Sequence, residues 1–171
     1  DIDMVCYGRA KFAAARQRLR DAVASHRLDL LSDAMWRDAY ARRGCSLSFD
    51  EYLWHESRKF NKFACRGTKV DISCVVPDQT WTPPGCRKLS RTVIRAVVSD
   101  DTCIFDYPAR YPLAHATVRE ILCFTPTYAG QAFCGERVEA AGWLEQADDG
   151  AQYLTVGTSR EATGEYIKVV G

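Results

Sequence analysis

The chain has 171 residues, of which 47% are hydrophobic and 26% charged, with a formal net charge of +1. That length suits one domain with a core of its own. No apolar run reaches the roughly 20 residues needed to span a bilayer, and the only Asn, Asn61, is followed by Lys-Phe, so no N-glycosylation sequon is present.

Residues 9–27 read as an amphipathic helix. Phe12, Ala15, Leu19, Ala22, Val23 and His26 share one face, and Arg9, Lys11, Arg16, Arg18, Arg20 and Arg27 lie around the rest. A second helix is expected near 32–43, capped by Ser32 or Asp33, with Met35, Trp36 and Tyr40 inward and Gly44 ending it. A third begins at Ser48. Ser48 and Glu51 have capping-box spacing, Phe49 to Phe63 continue at helical intervals, and Gly67 is a stop.

From Thr68 the period changes to that of a strand. Val70, Ile72, Cys74 and Val76 alternate with polar residues until Pro77 and the Thr82-Pro83-Pro84-Gly85 turn. Further strands are expected at 92–98, 102–105, 117–124, 137–144, 152–156 and 165–170, with Asp148-Asp149-Gly150 as a hairpin turn. Helices followed by strands predict an α+β fold with a mostly antiparallel sheet. Residues 1–171 read as one domain, helical over about 9–67 and sheet over about 68–171.

Eight cysteines dominate the chemistry: Cys6, Cys45, Cys65, Cys74, Cys86, Cys103, Cys123 and Cys134. None sits in a CxxC pair, so no metal site is expected from them. An even, scattered set points instead to an oxidising compartment and disulfides, each stabilising by about 2–4 kcal/mol. Local guesses are Cys74 with Cys86, around the Pro-rich loop 77–86, and Cys123 with Cys134. The alternative is eight reduced thiols. The start at Asp1 without a Met looks like a processed, secreted product.

Charge is uneven. Eighteen basic and eleven acidic side chains precede residue 96, against five and eleven after it. Arg16, Arg18, Arg20, Arg42 and Arg43 therefore form the first surface to consider for a partner, or else a solvated helix face. Trp54, Trp81 and Trp143 are anchors if exposed and core residues otherwise. Histidine is scarce. His55-Glu56 begins like a zincin helix, but Lys59 stands where its second His should be. No phosphate-binding Gly loop and no GxSxG is present.

One stretch carries a resemblance. Tyr107-Pro108-Ala109-Arg110-Tyr111, Val118-Arg119-Glu120-Ile121-Leu122, Tyr128-Ala129-Gly130, Gly135-Glu136-Arg137-Val138, Thr158 and Gly164-Glu165-Tyr166-Ile167 follow in order. This order resembles the secreted fungal guanyl-specific ribonucleases and their ribotoxin relatives over residues 107–170. The resemblance implies Glu120 as general base, Arg137 as phosphate clamp and Tyr107 as a supporting donor. The family's histidines fall at Ala109 and near Thr158 or Ser159, with His115 as the nearest substitute, so it implies a degenerate site. Secreted fungal plant-pathogen effectors that keep such a scaffold look similar to this chain.

The resulting expectation is a secreted, disulfide-rich effector, with later entry into host cells open to it. It would bind a host protein or RNA without catalysis, cofactor or metal. The alternatives are an active secreted ribonuclease using Glu120, Arg137 and His115, and an extracellular inhibitor or wall-associated structural protein.

Overall fold

A computed structural model describes residues 1–77, 81–159 and 162–171; residues 78–80, inside the Pro-rich loop of the sequence reading, lie outside them. The chain opens on a strand, β1 (Ile2–Tyr7), and continues through helices α1 (Arg9–Ala24), α2 (Asp33–Arg43) and α3 (Phe49–Lys59). Strands β2 (Lys62–Cys65), β3 (Thr68–Val75), β4 (Cys86–Val98), β5 (Ala109–Ala114), β6 (Val118–Cys123), β7 (Arg137–Ala147), β8 (Gln152–Val156) and β9 (Tyr166–Val169) follow. The fold is α+β.

Local chemistry sets the helix ends. The Ser32 hydroxyl accepts from Met35 N at 3.3 Å at the start of α2, and Gly44, at φ 58°, ends that helix in the left-handed region. The Ser48–Glu51 capping box is present at 2.9 and 3.3 Å. α3 stops at Phe60, short of Phe63, because Phe63 and Ala64 pair with β3 and are buried there. His55 is a satisfied core histidine. Its Nδ1 donates to Glu51 O at 2.7 Å, and its Nε2 accepts from Val169 N at 3.0 Å, tying α3 to β9.

Two sheets are formed, and both are mixed. The first has the order β1-β3-β2, with β1 and β3 parallel. Its apolar face, carrying Phe63, Val70 and Ile72, packs under Phe12 and Leu19 of α1. Each such side chain, fully buried, contributes about 1.5–3 kcal/mol. In the second sheet β4 pairs with both β5 and β7, so β4-β5-β6-β8-β7 closes into a five-stranded barrel with β9 beside β7. Within it β6 and β8 run parallel. Val98, Tyr111, Ile121, Val138, Leu154 and Ile167 fill the barrel and join one core with Trp36, Leu47 and Tyr52 of the helical segment. Phe105 bridges the two cores, with its ring 5.1 Å from that of Phe12.

The structure corrects several expectations. The strands pair mostly antiparallel, as expected, but in two sheets instead of one, each mixed by a single parallel pairing. The chain begins with a strand, and β5 is an additional one. Residues 102–105 form turns, closed by Asp106 N donating to Cys103 O. No disulfide staples the fold: all eight cysteines are free thiols. Cys74 lies in the small sheet and Cys86 at the end of the barrel strand paired with Ala147. Cys123 is buried with its thiol on Thr125 O, whereas Cys134 is exposed.

Gly142 of β7 lies against β8, where an added Cβ would collide with the carbonyl oxygen of Thr155. Gly142→Ala is expected to destabilise by about 3 kcal/mol, the upper range for overpacking. Urea unfolding monitored by fluorescence measures it.

Candidate active site

The parallel register of β1 and β3 sets Asp3 directly opposite Asp71. Strand alternation then gives the small sheet two unlike faces. The apolar one lies under α1. The polar one carries Asp3 on β1, Lys69 and Asp71 on β3, and Lys62 on β2, with Asp1 just before β1. Asp1, Asp3, Lys69 and Asp71 line one cleft of about 850 Å³. Lys69 Nζ bridges two of the carboxylates, at 2.9 Å from Asp71 and 3.5 Å from Asp1, and Arg42 holds Asp1 at 3.0 Å. Asp71 Oδ1 is buried with no hydrogen-bond donor. Among the described residues, no group of three or more His, Cys, Asp or Glu side chains is placed so as to hold a metal ion as the side chains stand.

Cations and aromatics rim the cleft. Arg42 and Arg43 come from the last turn of α2, Lys88 from β4, Tyr107 from the segment before β5 and Phe124 from the end of β6. Tyr107 is 68% exposed, and its ring meets that of Phe124 edge-on at 6.4 Å. Buried charges hold these walls. Asp106, beside Tyr107, accepts from Arg9 Nε at 3.0 Å with its carboxylate only 1% exposed. Glu165 accepts from Gly157 N at 2.7 Å, Thr158 N at 3.0 Å and Thr158 Oγ1 at 2.5 Å, fixing the loop that forms another wall. Gly157 is required there: its φ is +82°, and a Cβ would stand 2.8 Å from Thr125 N.

A third buried group supports the cleft from below. Glu56 pairs with Lys59 and Lys62, and Lys59 Nζ also donates to Thr127 O at 3.1 Å, on the cleft wall. Burial alone would raise the Glu56 carboxyl, but the two ammonium groups outweigh it and bring it down from 4.5 to about 2. Burial lowers Lys59 from its ordinary value. A depressed carboxyl stabilises the fold fully above its ordinary value, and that stabilisation disappears as pH falls through the folded value near 2. Glu56→Gln is expected to cost about 3–5 kcal/mol at neutral pH by leaving two ammonium groups unpaired. It should also flatten the loss of stability on acidification, measured by urea midpoints in a pH series.

The residues singled out in the sequence scatter. Glu120 is buried and held by Arg110 at 3.0 and 3.2 Å. Arg137 begins β7, opposite Val97, and has no ion pair with Glu120. His115 caps the β5–β6 turn, its Nδ1 accepting from Thr117 N and Val118 N. Among the described residues no hydrogen bond or ion pair joins any two of these three. Arg16 is partly buried, with its guanidinium 4.4 Å from the Phe105 ring, and burial lowers it to about 10. Arg20 lies over Phe60 and Arg18 is exposed. Arg42, Arg43 and Tyr107 do come together, on the cleft. Among the tryptophans, Trp54 is exposed beneath Arg58, and Trp81 stacks on Arg110. Asp1, Asp3 and Asp71 were missed. Their signal is an Asp-x-Asp pair at strand spacing and an Asp inside the Val70–Val76 alternation, which was read for its apolar members alone.

Against known proteins, the chain is 36% identical over 182 residues to the uncharacterized protein MJ1086 of the archaeon Methanocaldococcus jannaschii. The match covers 99% of this chain and 54% of that protein, so the chain spans about half the relative's length. No protein-family model and no solved structure matches. An archaeal relative along nearly the whole chain, together with eight free thiols, overturns the expectation of a secreted, disulfide-bonded effector of a plant pathogen. The extracellular location and the alternatives built on it, a secreted ribonuclease or a wall protein, fall with it. No described helix is long and apolar enough to cross a membrane.

Alkylating the denatured protein without reductant is expected to add a label at each of the eight cysteines. In the folded protein Cys123 should react last, since burial pushes its thiol up to about 12. Intact mass before and after unfolding checks both.

Proposed function

We propose that the cleft is a divalent-cation-dependent phosphoryl-transfer site for a nucleotide, with Asp1, Asp3 and Asp71 as the cation ligands. The supporting observation is geometric. Two carboxylates spaced for one strand face, and a third directly opposite one of them, line the floor of a cleft of about 850 Å³ with a cationic rim. That volume falls within the range of small-molecule sites. All-oxygen donors suit Mg²⁺ or Mn²⁺. The buried Asp71 Oδ1 without a donor fits such a ligand.

Each wall has a share in this reading. A cation held by the carboxylates would neutralise charge on the reacting phosphate. Arg43 makes no ion pair among the described residues, and with Lys88 it faces the space where further phosphates would extend. Tyr107 and Phe124 offer aromatic surface for a base. An acceptor hydroxyl forms its bond to phosphorus as the bond to the leaving phosphate breaks. With all three carboxylates engaged by the cation, the hydroxyl proton would pass to water in the open cleft, and the rim cations would stabilise the leaving oxyanion.

Calorimetric titration with Mn²⁺ tests the reading. The native protein should bind, and Asp3→Asn and Asp71→Asn should each weaken binding by at least about a hundredfold, beyond the loss from an outer-shell partner. Absent binding, or binding indifferent to both substitutions, would overturn it.

A further inference from the structure

β4 carries a row of cations that runs from the cleft onto the outer surface of the barrel. Its thirteen residues carry Arg87, Lys88, Arg91 and Arg95 and no carboxylate. In a regular strand Lys88 and Arg91, three residues apart, point to opposite faces. Here the register against β7 shifts between Lys88 and Ser90. A bulge of this kind re-aims side chains. Both cations consequently reach one ring: Lys88 Nζ lies 5.0 Å and Arg91 Cζ 5.6 Å from the centroid of Trp143. Arg95 continues the row from Arg91 at strand spacing, past the 57%-exposed Val93. Arg95 pairs with Glu139 and Arg91 lies 3.6 Å from Glu165, yet their side chains remain 72% and 55% exposed. Lys88, at the other end, lines the carboxylate cleft.

We infer that this row is a track for a single-stranded nucleic acid, the acceptor of the proposed transfer. Its phosphates would lie on Arg95, Arg91 and Lys88, one base would stack at Trp143, and its end would enter the cleft at Lys88. This rests on the phosphoryl-transfer reading for the acceptor role, but not for the binding itself. A row of cations beside one aromatic ring matches a strand with unstacked bases and alternating charge. A duplex keeps its bases stacked and offers the ring nothing. An acidic polypeptide would use the cations but not the ring.

The experiment is fluorescence anisotropy of short labelled single strands, RNA and DNA in separate arms, with EDTA present so that no cation-dependent chemistry contributes. Binding should weaken with salt at a log–log slope of about −2, the value for three phosphate contacts on a single strand. The double variant R91A/R95A should flatten that slope by about 1.4. Trp143→Phe, a ring-preserving change, should bind, whereas Trp143→Leu should lose about 1–3 kcal/mol of stacking, roughly a 5- to 150-fold weakening. The stronger arm identifies the sugar. The inference is overturned by no binding, by undiminished binding in R91A/R95A, by preference for duplex, or by equal displacement with polyglutamate. Manganese titration of R91A/R95A separates the two readings. Lost oligonucleotide binding with manganese binding intact supports the track, whereas manganese indifferent to the aspartate substitutions defeats the centre alone.

Discussion

The parallel, in-register pairing of β1 with β3 is the constraint on which the rest depends. It gives the small sheet one face apolar enough to bury under α1 and one face that collects charge. A slip of one residue would turn Val70 and Ile72 toward the cleft and Asp71 into the apolar contact. Burial of Phe12 and Leu19 therefore fixes more than stability. It fixes which side of the sheet the carboxylates occupy and which residue stands opposite Asp3.

Buried charges then tie the segments around the cleft together. Asp106 meets Arg9 from the start of α1, Glu56 and Lys59 of α3 reach the Thr127 carbonyl, and Glu165 holds the 157–158 backbone. Such groups are poor sources of net stability, because removing them from water costs much of what their attraction returns. Their contribution here is positional. Each ends on a wall of the cleft: the chain at Tyr107 and Thr127 is held by partners distant in sequence, and Thr158 by Glu165, seven residues on. The two hydrophobic cores meet at Phe105, next to Asp106, so packing and pairing act on the same hinge of chain.

Much of the secondary structure could be read from the sequence because it rests on local chemistry. Ser32, Gly44 and the Ser48–Glu51 pair act within a few residues, and their signals survive folding. β1 and β5 were not legible, since both are short and interrupted, and β1 owes its existence to pairing with residues about 68 positions away. The carboxylates escaped for the same reason: Asp3 and Asp71 become a pair only through that register. Residues 107–170 did carry an ordered set of short motifs, yet strand order, not residue order, decides which side chains meet. β6 lies between β5 and β8, so Glu120 finds Arg110 rather than Arg137. The cysteines misled because number and spacing say nothing about which thiols face each other. Cys6 and Cys74 do stand opposite one another and are both free thiols.

Electrostatics connects the register to the proposed chemistry. Asp3 and Asp71 stand directly opposite on one sheet face, and like charges so placed repel. Lys69 offsets this for Asp71 and Asp1, and Arg42 adds to Asp1. Asp3 has no ion-pair partner among the described residues, so one carboxylate of the facing pair is left uncompensated where the cleft is open. A fold gains nothing in stability from that arrangement, and an isosteric Asn at position 3, where there is no ion-pair partner to lose, would relieve it. A small cation of higher charge than an ammonium would satisfy Asp3 and Asp71 together and compete with Lys69 for Asp71. Lys69 lines the same cleft as Arg42, Arg43 and Lys88, so an Nζ displaced in this way would add to the cations facing a polyphosphate. On this reading Lys69 serves in both conditions, as counter-ion to the bare carboxylates and as phosphate partner once they are ligated.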